Sequence, residues 1–241
     1  PANCVVHPAA GQSTGTLANA VLAHAPSNAE LPRCGIIHRL DKDTTGLLVI
    51  AKSLIAHASL VDQLQQRSVK RVYRAIACGT MISGGTIDLP IGRHPGQRTK
   101  MAVIQDKRSV GLTKEDESDE YPLASGAKTA ITHYRIAKRF EHFTELRVQL
   151  ETGRTHQIRV HMAHTRHPLL GDVTYNPRYK RPQGISDALN EDLMRFRRQA
   201  LHATELSFSH PLSGEVCEFH AEPPMDYLTL LESLEEIAID A

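Results

Sequence analysis

Apolar positions along this chain recur with two different periods, and the switches between them mark the elements. In SLIAHASLVDQLQQRS, residues 53–68, Leu54, Ala58, Val61 and Leu64 recur at helical spacing behind Ser53, which predicts a helix with Ser53 as N-cap. VKRVYRAIACG (69–79), GGTIDLPIGRH (84–94) and KMAVIQD (100–106) alternate with period two between turn signals and predict strands. KTAITHYRIAKRF (128–140) and FTELRVQLETG (143–153) predict a hairpin joined near Glu141 and His142. RTHQIRVHMAHT (154–165) then returns to the helical period, with Thr155 as its N-cap. LHATELSFSHP (201–211) and GEVCEFHAEPP (214–224) predict a second hairpin turning at Leu212 to Gly214, followed by a helix from Met225 to Ala238. Strands in consecutive hairpins with helices packed on them imply an α+β fold with a mixed, largely antiparallel sheet.

One polar interruption stands out. In CGIIHRLDKDTTGLLVIAKS, residues 34–53, His38, Arg39, Asp41, Lys42 and Asp43 lie between the runs Ile36–Ile37 and Leu47–Ile50, both of which read as buried strand segments. Asp43 to Gly46 has turn chemistry, with Gly46 free to take positive φ. A strand end carrying Arg39 and Asp41 two residues apart directs both to one side of the sheet.

At 241 residues the chain is long enough to bury roughly 70% of its unfolded surface without staples. Cys4, Cys34, Cys78 and Cys217 have no CxxC spacing, so reduced thiols and a cytoplasmic setting are expected. There is no apolar run of about 18 residues and no leader pattern, which predicts neither a membrane span nor export. The opening PANCVVHPAAG, without methionine, reads as part of a longer chain.

The net charge of +1 conceals an uneven distribution. Residues 221–241 carry six acidic groups and no Lys or Arg, and 107–126 carry five acidic groups against three basic ones, so the remainder holds +9. A basic body suits a polyanionic partner. The polar stretch 107–126 reads as a mobile acidic insertion. With no Trp and 5% aromatics, the chain lacks the surface on which single-strand binders stack successive bases, although one base pocket needs only one ring.

A second dense stretch, LETGRTHQIRVHMAHTRHPLLGD (150–172), gathers Arg154, Arg159 and Arg166 with His156, His161, His164 and His167. No HExxH or carboxylate accompanies the histidines at ligand spacing, so no metal is predicted, and phosphate contact suits the corner better. Glycoside hydrolysis would need two facing carboxyl groups, and Asp41 and Asp43, two residues apart in a turn, do not flank a substrate.

HRLDKDTTGLLVIAKS, KRVYRAIACG and ETGRTHQIRVHMAHTRHPLLGD, in this order, resemble the RluA family of RNA pseudouridine synthases, over most of the chain from VVHPAAG to EFHAEPP. The resemblance implies one catalytic domain over 1–241, with an upstream S4 RNA-binding module in the most similar members. It implies a cofactor-free isomerisation of uridines in a stem-loop of bacterial large-subunit ribosomal RNA by a monomeric cytoplasmic enzyme. Asp41 matches the essential aspartate, Arg159 the arginine that pairs with it, and Tyr73 the tyrosine that stacks on the target base. Arg39 matches the side chain that fills the gap left by the flipped base, and His38, Arg154 and His156 are expected as further RNA contacts, Arg154 holding either a phosphate or only the corner itself. The alternative class is a non-catalytic RNA-binding ribosome-assembly factor, attractive if Asp41 lies away from any cleft.

Overall fold

The computed structural model describes residues 1–8, 12–104 and 126–238. In chain order its elements are α1 (Leu17–His24), β1 (Thr45–Gly46), α2 (Leu54–Gln65), β2 (Lys70–Cys78), β3 (Gly85–Asp88), β4 (Ile91–Arg93), β5 (Met101–Val103), β6 (Ile131–Arg139) and β7 (Phe143–Leu150). There follow α3 (Gln157–His164), α4 (Asp187–Arg195), β8 (Leu201–Ser209), β9 (Val216–His220) and α5 (Met225–Leu234). The main sheet has the order β1-β8-β2-β7-β6-β3, with β9 also on β8; β4 and β5 form a separate pair. Every pairing in the main sheet is antiparallel except β1 with β8. The mixed, largely antiparallel α+β architecture is therefore present.

Period two along β2 explains how the sheet is covered. Tyr73, Ala75 and Ala77 face a core completed by Ile158 and Met162 of α3, Leu146, Val148 and Leu169. Ile76 faces the opposite way, toward a core built from Leu189 and Leu193 of α4 and Tyr227, Leu230 and Leu234 of α5. With both faces covered, β2 is the spine of the molecule. Beside Tyr73 the β2–β8 register shifts, Val72 opposing Glu205 and Tyr73 opposing Ala203, so Thr204 is the extra residue of a bulge. Its hydroxyl donates to the Ala221 carbonyl at 3.0 Å, which ties the bulge to the chain after β9.

Ser53 caps α2 as expected, accepting from the Ala56 N–H, and both hairpins form at the predicted turns. The apolar runs around residues 36 and 50 do not form strands; a single antiparallel bridge joins Ile36 to Ile50. The strand is Thr45–Gly46, inside the stretch read as a turn, because β8 offers its edge there, and the Thr45 hydroxyl bonds His202 Nδ1 at 2.8 Å. The turn lies earlier, closed by Thr44 N–H to the Asp41 carbonyl at 2.9 Å. Gly46 does take a positive φ of 112°, and a Cβ there would stand 2.2 Å from the Ala203 oxygen.

Two further boundaries differ. Thr155 is not the cap of α3: His156 occupies the N-cap position at φ 57° without a side-chain cap. Gln157 does the tethering instead, its Oε1 accepting from Arg154 N–H and the Thr152 hydroxyl and its Nε2 donating to the Ile131 carbonyl. The last helix ends at Leu234 and tightens to a 3-10 turn over Glu235–Ile237. Helices α1 and α4 have no counterpart among the predicted elements. The acidic stretch read at 107–126 falls, up to residue 125, outside the described residues.

Candidate active site

The loop after Ile37 brings Asp41 to the N-terminal end of α3. Arg159, in the first turn of that helix, donates from Nη1 to Asp41 Oδ2 at 3.1 Å. The contact is sheltered, the two side chains being 7% and 14% exposed. Arg159 does not float free to make it. Its Nε and Nη2 form a two-pronged pair with Asp172 at 2.7 and 2.9 Å, and Asp172 is fully buried. Asp172 Oδ1 also accepts the backbone N–H groups of Thr174 and Tyr175 at 2.9 and 3.0 Å. Burial alone would lower the arginine's pKa, but the two carboxylates outweigh it and raise the pKa, so Arg159 stays charged.

Asp172 was not singled out in the sequence, although it closes the quoted motif. The charge count it creates matters: one guanidinium serves two carboxylates. Asp172 holds the fork and Asp41 takes a single N–H from Nη1. Asp41 is thus oriented by the arginine yet keeps a second oxygen free of it, an arrangement suited to a carboxylate that must act on a bound molecule.

Tyr175 and His156 finish this wall. The Tyr175 oxygen accepts from the Met101 N–H at 2.9 Å, and its hydroxyl, assigned as the donor, meets His156 Nδ1 at 2.8 Å. On this hydrogen-bond assignment the imidazole presents Nε2–H toward Asp41 Oδ1, at 4.0 Å. Burial, offset in part by the Asp41 charge, lowers the His156 pKa and favours this neutral form. The Arg159 guanidinium also lies over the Tyr175 ring, 5.1 Å from its centroid.

Tyr73, from β2, lines the same cleft and is 6% exposed. Burial raises its pKa, Arg71 opposing and Asp41 reinforcing, so the phenol is protonated at neutral pH. Ile158 and Leu201 add apolar wall. His38 is more constrained than an RNA contact would suggest. Its Nε2 accepts the Val49 N–H at 3.1 Å, and burial followed by the nearby Arg71 charge pushes its pKa down to about 4. It is a neutral ring that pins the loop before Asp41, with only Nδ1–H left to donate. Arg39 is exposed at the rim, whereas Arg154 is half-buried, its Nε donating to the Thr129 carbonyl at 2.9 Å.

The cleft that joins these residues has a volume of ≈ 590 Å³, within the range of about 300–1,000 Å³ common for small-molecule sites. Arg33, Arg39, Arg67, Arg71, Arg154 and Arg159 line it against two carboxylates, Asp41 and Glu151, so its field favours an anion. Among the described residues no group of three or more His, Cys, Asp or Glu side chains could hold a metal. His161, the most buried histidine of the motif, is engaged by the Thr132 hydroxyl at 2.9 Å and the Leu89 carbonyl at 3.0 Å. No helix among the described residues is long and apolar enough to cross a membrane.

Residues 1–164 match the family described as RNA pseudouridylate synthase. The chain is 52% identical over 234 residues to the ribosomal large subunit pseudouridine synthase D of Pasteurella multocida, covering 97% of this chain and 66% of that protein. It is 50% identical over 236 residues to the protein of that name from Pseudomonas aeruginosa, covering 98% and 68%. The Escherichia coli K12 protein is 50% identical over 232 residues, covering 96% and 65%. The chain thus spans 66% of the length of the first of these curated relatives. Among solved structures, human RNA pseudouridylate synthase domain containing 4 superposes with a TM-score of 0.72 at 24% identity, over 98% of this chain and 87% of that one. At that identity the likeness concerns the fold.

Proposed function

This chain belongs to the RNA pseudouridylate synthase family, and on that premise we propose that it isomerises uridines of large-subunit ribosomal RNA to pseudouridine. In this reaction the bond between the sugar and N1 of the base breaks, the base turns, and a bond forms to C5. The proton leaves C5 and N1 regains one. Atoms balance with no oxidant, reductant or cofactor. The observation that carries the reading is the Asp41–Arg159 ion pair at 3.1 Å inside a cationic cleft that also contains Tyr73.

Each residue then has a task. Asp41, ionised and oriented, acts on the flipped nucleotide; Arg159 keeps it charged; Tyr73 packs on the base as a neutral phenol. Arg39, exposed at the rim, fills the space the base vacates, which offsets part of the few kcal/mol that extrusion costs. Arg154 and the His156 Nε2–H contact the RNA near the α3 corner, and His38 supports them through Nδ1–H. We assign residues 1–241 to one catalytic domain, working as a monomer in the cytoplasm. A purely RNA-binding assembly factor would have no use for a sheltered carboxylate sharing its arginine with a second one.

The test is tritium release from an in vitro large-subunit rRNA transcript labelled at C5 of uridine. The wild-type chain should release label, and Asp41→Asn, which keeps the shape and removes the charge, should release none while binding RNA normally. Turnover by the variant would remove Asp41 from the chemistry.

A further inference from the structure

Arg71 is a cleft residue that the reading above leaves without a task, and its surroundings are incomplete. It stands on β2 two residues before Tyr73, and the strand rise sets the two on one face about 7 Å apart. It is 6% exposed. Nη2 donates to the Glu151 carbonyl at 3.0 Å, but Nε is buried without any partner. The Glu151 carboxylate serves other groups, Arg67 at 2.9 Å and His133 at 2.7 Å. Among the described residues no carboxylate pairs with Arg71.

A guanidinium cannot discard its proton to escape burial. A buried charge with no counter-charge is costly, and an unsatisfied polar atom in a native structure calls for an explanation, such as a ligand group that completes it. Gly153 gives a second indication. A Cβ at that position would stand 2.6 Å from Arg71 Nη1, so the bare glycine keeps that edge of the guanidinium uncovered. Both residues line the cleft.

We propose that Arg71 receives a phosphodiester of the bound RNA, the one flanking the uridine held against Tyr73. The inference rests on the reading of the cleft as an RNA isomerase site. A phosphate supplies the missing negative charge and two oxygens that match the arginine fork, whereas a uracil carbonyl supplies one neutral acceptor. Arg71 is then a binding residue that sets how deep the nucleotide sits, and the exposed rim arginines meet phosphates farther out.

The experiment is kcat/KM for pseudouridine formation on the large-subunit rRNA transcript, measured across a NaCl series. Losing one phosphate contact should make the slope of log kcat/KM against log salt shallower by about 0.7–0.9. Arg71→Gln should show that change with at least a tenfold drop in kcat/KM, and Arg71→Lys should retain the slope. Gly153→Ala, which leaves the arginine but crowds Nη1, should raise KM with little change in kcat. A reduced kcat/KM in Arg71→Gln with the wild-type slope would overturn the proposal and leave a packing or base-contact role. If Arg71→Gln does not fold, unchanged kinetics in Gly153→Ala would overturn it equally. A wild-type chain that forms no pseudouridine at all refutes the reading of the cleft itself, before any variant is compared.

Discussion

Replacing Asp172 by asparagine tests whether the aim of Arg159 is set from behind. The fully buried Asp172 carboxylate accepts two bonds from Arg159 and two from backbone N–H groups. An amide has one oxygen. If that oxygen keeps the Thr174 and Tyr175 N–H groups, the new NH2 faces Arg159 Nε at the place of a 2.7 Å bond, donor against donor. Hydrogen bonds to charged groups are each worth about 1.5–3 kcal/mol, and breaking a buried pair costs about 3–5 kcal/mol, so Asp172→Asn should lose about 3 kcal/mol of stability. The released guanidinium must swing away or turn fully onto Asp41, and either movement spoils the single N–H contact at 3.1 Å. A displacement of about 1 Å costs on the order of 100-fold in rate. Urea unfolding measures the first effect, and single-turnover tritium release at saturating RNA measures the second on the folded fraction. A variant that is destabilised yet turns over at the wild-type rate would show that Arg159 is aimed by something other than Asp172.

Two further substitutions address the rim and the loop. Arg39→Ala should weaken productive binding more for a structured stem-loop than for a flexible oligonucleotide, because only the first must give up stacking to extrude its base; equal losses in kcat/KM on both would make Arg39 a plain phosphate contact. His38 has a pKa near 4 when folded against 6.5 when free, so the unfolded chain binds more protons between these values. Its contribution is complete above pH 6.5 and is lost as pH falls toward 4, by about 3 kcal/mol at most. His38→Gln should flatten this part of the stability–pH curve, and an unaltered slope between pH 6.5 and 4 in urea midpoints would refute the assignment.

What the sequence revealed, and what it concealed, follows from the range of the interactions. β2, β6, β7 and β8 were legible because their β-forming runs, bounded by turn signals, are written locally. The cap of α3 was not, because His156 turns left-handed to suit tethers from Gln157 to β6, 25 and 26 residues away. α4 did carry local signals: Ser186 caps it through the Leu189 N–H, Leu189 and Leu193 form its buried stripe, and Asp187 and Arg195 suit its ends. These were masked by the polar, basic stretch in which they sit. α1 has a capping box with Asn19 in place of the usual Glu or Gln, which hid it. Asp41, Arg159 and Tyr73 were named through motifs, and the structure brings them to one cleft. Asp172 and Arg71 were in view but looked ordinary, since a Gly-Asp pair reads as a turn and a basic strand residue as surface. Only their burial and partners distinguish them.

On the proposed function, the same charge pattern explains how the cleft would attract RNA and still hold a reactive carboxylate. Phosphates seek positive potential, and Asp41 opposes it, so the two demands must be separated in space. Depth supplies the separation: Arg39 is exposed at the rim, while Asp41 and Arg159 lie 14% and 7% exposed beneath it. Salt screens the exposed charges over about 8–10 Å but acts weakly on the sheltered pair. The cleft should therefore lose affinity with added salt while the bound complex keeps its chemistry. This division is possible because Arg159 takes its principal counter-charge from Asp172 behind it. Neutralised from that side, it can steady Asp41 without drawing that carboxylate away from the cleft.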